Sequence, residues 1–167
     1  MKSSHYPIIV LALLISNLCA NAQEAANMKK DIEQTPIVVF VCEHGSAKSV
    51  VAAAHFNRMA AERNLKLRAI SRGTSPDAEI APKAAKGLEG EGLSAGEQKP
   101  MKLSAEDFAS SALVVAFCRL PDACCKPALV EQWDDVPPVS EDYSRARDAI
   151  VARIGRLLDE LISAKKR

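Results

Sequence analysis

Aromatic side chains are scarce in this sequence: Phe, Tyr and Trp make up 4% of 167 residues, with a single Trp. Packing of the interior is therefore expected to fall to Val, Ile, Leu and Ala. Neither charge dominates, since 22 Lys and Arg face 21 Asp and Glu, and no polybasic surface for nucleic acid is implied. No apolar run approaches the roughly 20 residues that span a bilayer as a helix. Five cysteines are too few for a disulfide scaffold in a chain this long. There are no internal repeats and no low-complexity tracts. The length suits one domain with a real core and not two of ordinary size.

The N-terminus reads as a secretory signal. Lys2 supplies a positive start, Pro7 to Ile15 a short apolar stretch, and Ala20-Asn21-Ala22 a small-x-small cleavage pattern before Gln23. Leu18 is too bulky for Cys19 to be a lipidated residue. Residues 1–22 are thus expected to be removed, residues 23–35 to form a flexible arm, and residues 36–167 to form the domain. The expected location is secreted, in the periplasm, without a stable membrane anchor. Cleavage removes Lys2 and no acid, which leaves basic and acidic residues equal in number. It also leaves Cys42, Cys118, Cys124 and Cys125, whose pairing an oxidising compartment permits.

Along the domain, apolar runs alternate with helical patterns. Pro36 to Val41 is continuous and β-branched, as in a strand buried on both faces. Ser49 to Asn64 is Ala-rich and free of Gly and Pro, so a helix is predicted, with Asn64 able to end it. Leu65 to Ser71 alternates as a strand, and Arg72 to Asp77 reads as a loop. A short helix is predicted over Ala81 to Leu88, starting near Pro82. Ser104 with Glu106 and Asp107 marks a helix N-terminus, and Ala112 to Cys118 is a second buried strand. Arg119 to Asp135 looks irregular. Ser140 is positioned to cap a last, long helix that carries Ile150, Ile154, Leu157, Leu158 and Leu161 on one face. The alternation points to an α/β fold with a parallel sheet and helices on both faces. Ligands bind such sheets at the carboxyl ends of the strands, where Cys42 and Cys118 both fall.

Cys42 is the most informative residue. It closes the first strand and opens Glu43-His44-Gly45-Ser46-Ala47-Lys48-Ser49, just ahead of a helix. Backbone N–H groups converge at such a position, where they bind oxyanions and favour a thiolate over a thiol. His44 reads as a solvated loop histidine without an assigned partner, and His55 as structural or surface.

Cys42, with Lys48 six residues on and Ser49 next, resembles the Cys-x5-Arg-Ser loop of the low-molecular-weight protein tyrosine phosphatases and the related thioredoxin-coupled arsenate reductases. Ser71-Arg72-Gly73 resembles the family's Ser-Ala-Gly segment. Asp134 and Asp135, after Trp133 and before the last helix, resemble the region of its general-acid aspartate. The resemblance spans most of Pro36 to Leu161. It implies a flavodoxin-like three-layer fold with a four-stranded parallel sheet. It further implies Cys42 as nucleophile, the 43–47 loop as oxyanion cradle and Ser49 as a hydrogen-bond donor to the thiolate. Three departures stand out. Lys48 offers a point charge where the family has the planar fork of arginine. Gly45 stands where the family usually has Asn, and both tolerate a left-handed backbone. The Asp-Pro pair is missing, so Asp135, then Asp134, is the candidate acid. Arg72 is hypothesised to reach the anion and partly replace the missing guanidinium.

Cys118 and Cys125, with Cys124 as an alternate, resemble the redox cysteines that relay a disulfide in the arsenate reductases. A structural disulfide from Cys118 to either neighbour, or free thiols, is the simpler alternative. The spacing lacks the paired steps and nearby histidines of a zinc site. No cofactor is implied. The expected partners are a phosphate or arsenate oxyanion, or a phosphorylated substrate, and for a reductase a thiol electron donor. A catalytically impaired oxyanion binder and a redox protein are the competing readings.

Overall fold

A computed structural model describes residues 35–95, 99–121 and 130–165. The expected signal peptide, the arm up to residue 34, and Cys124 and Cys125 lie outside the described residues. Four strands, β1 (Ile37–Cys42), β2 (Arg68–Gly73), β3 (Ser111–Ala116) and β4 (Val130–Gln132), form one sheet in the order β2-β1-β3-β4. Every pairing is parallel. The helices are α1 (Lys48–Glu62), α2 (Pro82–Gly90), α3 (Ala105–Ser110) and α4 (Tyr143–Lys165). This is the flavodoxin-like α/β arrangement.

Central strand β1 is apolar throughout because both of its faces are covered. Val38, Phe40 and Cys42 join the core made with α1, α2 and α4. Val39 and Val41 join a second core with Val114, Ala116 and Leu120, against which Phe108 of α3 packs. The two-residue period of a strand thus assigns Cys42 to the face that carries α1. The chain passes from β1 to β2 on one side and then crosses to β3 on the other. That reversal opens a crevice at the carboxyl ends of β1 and β3.

Four of the seven aromatic residues are concentrated in one place. Phe40, Phe56, Phe117 and Trp133 pack with ring centroids 5.7 to 6.3 Å apart, in the layer beneath Cys42. The core is therefore not aliphatic alone.

Local signals place most boundaries. Asn64 takes φ 53° after α1. Leu65 and Leu67 pack on the core before β2 begins, so the strand runs Arg68–Gly73 instead of Leu65 to Ser71. Ser104 and Asp107 form a reciprocal capping box on α3. The last helix starts at Tyr143, and Asp142 rather than Ser140 caps it, accepting from Arg145 N–H at 3.0 Å. Strand β4 lies inside the stretch expected to be irregular. Three residues pairing with β3 at an edge leave no periodic signature. At the opposite edge, the Asn57 side-chain amide donates to Ala69 C=O (3.1 Å) and accepts from Ala69 N–H (2.7 Å).

Candidate active site

The loop after β1 is laced to the segment following β2. The carbonyls of Cys42, Glu43, His44 and Ser46 accept hydrogen bonds from the N–H groups of Thr74, Ser75, Asp77 and Ala81, at 2.8 to 3.2 Å. Among the described residues, the N–H groups of Glu43 to Ala47 make no such backbone bond. Helix α1 begins directly behind them, with no acidic residue in its first turn. The carbonyls are turned outward and the positive helix end faces the loop, which makes the loop an anion cradle. Gly45 takes φ +60° there, and a Cβ on it would meet the Gly73 nitrogen at 2.8 Å. Both a left-handed backbone and a close approach therefore require glycine. The expected tolerance of this position for Asn is narrower than conformation alone implies.

Cys42 is 5% exposed. Its Sγ lies 3.1 Å from Oγ of the fully buried Ser49, in the first turn of α1. The hydroxyl is thus placed to donate to a thiolate. Lys48 Nζ donates to Val136 C=O at 3.0 Å and sits 5.9 Å from the Phe117 ring centroid. Its charge is held between the loop and the segment that leads into α4.

Cys42, Lys48 and Phe117 line a cavity of about 560 Å³ with Cys118, Pro138 and Val139. Lys83 Nζ closes the far rim by donating to the carbonyls of Ser140 (2.6 Å) and Glu141 (3.1 Å). Cys42 and Cys118 are both free thiols. Burial pushes the Cys118 thiol up, the neighbouring Cys42 adds to this, and a Thr74 hydrogen bond opposes it.

Asp77 lines the same cavity and was not singled out from the sequence. Its Oδ2 accepts from Ser46 Oγ at 2.6 Å, and its Oδ1 lies 3.2 Å from His44 Nδ1. The available signal was an acid in the loop after β2, at the sheet edge shared with Cys42.

Three expected site residues are not brought to this cavity. Arg72 directs Nε to both Asp107 oxygens at 3.0 Å and Nη1 to Ser71 C=O. It lines a different cavity of about 210 Å³, so it does not replace the missing guanidinium at the Cys42 loop. Burial opposes ionisation of Asp107, but hydrogen bonds from Arg72 and Ser104 outweigh it and hold the carboxyl below the usual range. Asp135 is bound by both terminal nitrogens of Arg153, which hold its carboxyl low. It lines a cavity with Trp133 and Arg156 that excludes Cys42. Asp134 is exposed and does not line the Cys42 cavity. The reason is local: the chain turns between Trp133 and Val136, sending the acids outward while Val136 and Val139 are buried and Pro138 lines the cavity. His55, fully buried on α1, lies 3.6 Å from Glu91, and burial pushes its pKa down.

Residues 37–148 match the family model for low molecular weight phosphotyrosine protein phosphatase. The chain belongs to that family. Solved structures of similar fold include YfkJ from Bacillus subtilis, at 19% identity and TM-score 0.71, covering 79% of this chain and 98% of that one. A protein tyrosine phosphatase from Entamoeba histolytica aligns at 17% identity and TM-score 0.68, over 77% and 96% of the two chains. A thioredoxin-dependent arsenate reductase of Corynebacterium glutamicum aligns at 22% and 0.64, over 98% of this chain and 78% of that one. No curated protein matches the chain. Membership of the family supports a cysteine-based, oxyanion-handling chemistry at the family level, and the buried Cys42 beside Ser49 is consistent with it.

Proposed function

We propose that the protein is an exported phosphomonoesterase in which Cys42 is the nucleophile. The observation that carries this reading is the buried Cys42 Sγ, 3.1 Å from Ser49 Oγ at the base of the anion cradle. Cys42 attacks phosphorus, while the N–H groups of residues 43–47 and Lys48 hold the equatorial oxygens. The export element rests on Lys2, the Pro7 to Ile15 stretch and Ala20-Asn21-Ala22.

A second reading is arsenate reduction, favoured by Cys118 sharing the cavity with Cys42. Here Cys118 attacks the sulfur of a Cys42–arsenate adduct, the S–As bond breaks with its electron pair leaving on arsenic as arsenite, and a Cys42–Cys118 disulfide forms. The resulting disulfide passes to Cys125, or to Cys124, and then to a dithiol donor.

Purified protein lacking residues 1–22 is to be assayed on aryl phosphate, and on arsenate with a dithiol, beside Cys42→Ser. Phosphate release that vanishes in the variant supports the hydrolase. Arsenite formation that needs both Cys42 and Cys118 supports the reductase. Neither product, with phosphate still bound, leaves an oxyanion binder and overturns both catalytic readings.

A further inference from the structure

A cysteine phosphatase must protonate its leaving group, and no acid after Trp133 reaches the Cys42 cavity. We propose that His44 is the proton donor and that Asp77 is its positioning residue. This assignment rests on the hydrolase reading.

The geometry orders the two roles. Asp77 accepts from the Ser46 hydroxyl through Oδ2 and faces His44 Nδ1 through Oδ1. A carboxylate that accepts from a hydroxyl and stands beside an imidazole nitrogen is an acceptor and not a source of protons. A carboxylate beside Nδ1 favours the tautomer that carries its proton there, and the proton transfer is assigned to Nε2. Among the described residues, the other charged group beside that ring is Glu43, whose Oε2 lies 4.0 Å from Nε2. Elsewhere around the cavity stand the Cys42 and Cys118 thiols and the ammonium groups of Lys48 and Lys83. The two lysines donate to backbone carbonyls, and among the described residues neither thiol is paired to an acid or base that would drive it as a donor.

His44 is two residues from the nucleophile, and its carbonyl is fixed by Asp77 N–H at 3.0 Å. Backbone and side chain of one residue, Asp77, therefore set where the imidazole stands. In the first step the Cys42 thiolate forms the S–P bond and the P–O bond to the leaving oxygen breaks. That oxygen keeps the electron pair and takes the Nε2 proton, giving the free alcohol. Neutral His44 then accepts a proton from the water that attacks the phosphocysteine. The S–P bond breaks, Cys42 recovers its thiolate, and inorganic phosphate leaves.

The test compares phenyl phosphate, whose leaving group is strongly basic, with 2,4-dinitrophenyl phosphate, whose leaving group needs no proton. His44→Gln is expected to lose about 100-fold or more in kcat/KM, which reports the leaving-group step, on the first ester and less than about fivefold in kcat/KM on the second. Turnover of the second ester shows that the variant is folded. Asp77→Asn keeps an acceptor for Ser46, and is expected to lose about tenfold in kcat/KM on phenyl phosphate while changing less than about threefold on 2,4-dinitrophenyl phosphate. Equal losses of kcat/KM on both esters in His44→Gln, or in Asp77→Asn, overturn the assignment while the hydrolase reading stands. A parent enzyme that cleaves neither ester overturns both.

Discussion

Gly45 and Gly73 meet backbone to backbone, and neither has room for a side chain. A Cβ on Gly73 would lie 2.8 Å from the Gly45 nitrogen, and one on Gly45 would lie 2.8 Å from the Gly73 nitrogen. The anion loop is thus seated directly on the end of β2. Gly45→Ala is expected to cost about 1–2 kcal/mol for the left-handed backbone, and about 1–3 kcal/mol more for the clash. Gly73→Ala meets only the clash. Urea unfolding of both variants measures this, and parental stability in both would remove the close approach from the account of the loop.

Lys48→Arg is expected to raise kcat/KM on aryl phosphate by several-fold to about tenfold, because a planar fork holds two oxygens where an ammonium holds one. Lys48→Met should lower it by a comparable factor. The Val136 carbonyl that Lys48 Nζ now engages remains available to either cation. An arginine variant no faster than the parent would show that the cation at this position does not limit turnover.

Ser49→Ala removes the hydroxyl 3.1 Å from the Cys42 sulfur. A hydrogen bond to a charged group contributes about 1.5–3 kcal/mol, so kcat is expected to fall by roughly ten- to a hundredfold. The variant should still bind phosphate, as read by competitive inhibition. Parental kcat in Ser49→Ala would make Ser49 a helix-start residue and nothing more.

The parts of this site that were legible in the sequence are those fixed by short-range chemistry. An apolar run ending in Cys42, the small residues after it and the helix pattern from Ser49 lie within a few residues of one another. The Ser104–Asp107 box was readable for the same reason. Arg72 and Asp135 were misplaced because side-chain direction depends on distant partners. Asp107 lies 35 residues from Arg72, and Arg153 lies 18 from Asp135. Asp77 was missed because its partners, His44 and Ser46, lie across the sheet edge. The expected signal peptide and the Cys124–Cys125 pair fall outside the described residues.

The Arg72–Asp107 pair yields a stability prediction with a defined pH window. Asp107 is 7% exposed, and leaving one buried partner unpaired costs about 3–5 kcal/mol. Arg72→Leu should therefore be strongly destabilised in urea. Its kcat/KM on aryl phosphate should stay within about twofold of the parent where it is folded. The Asp107 carboxyl sits below its unfolded value. Its stabilising effect is complete above about pH 4 and is lost as pH falls through the folded-state value. The gap between parent and Asp107→Asn should accordingly close in acid; a gap that stays constant down to pH 2 would contradict the assignment.

His55 gives the opposite residue type and the same direction. Burial keeps the imidazole neutral, helped by the charges of Arg58 and Arg147 and opposed by that of Glu91. The unfolded chain then binds the proton more readily, so stability falls as pH drops below about 6.5. Unfolding free energy measured from pH 8 to pH 5 should carry this slope in the parent and lose it in His55→Gln. A parent with no such slope would mean that Glu91 compensates the burial fully.

Asn57 has a consequence for how copies of the protein behave toward each other. Strand β2 is an edge, and the outward-facing N–H and C=O of an edge residue are a template on which a second chain can add. At Ala69 that template is already used, because a side-chain amide from α1 makes both hydrogen bonds that a fifth strand would make. The bonds come from within the same molecule, at no concentration cost. Growth of the sheet by strand addition is blocked at this point by one residue two turns into the helix behind the anion loop.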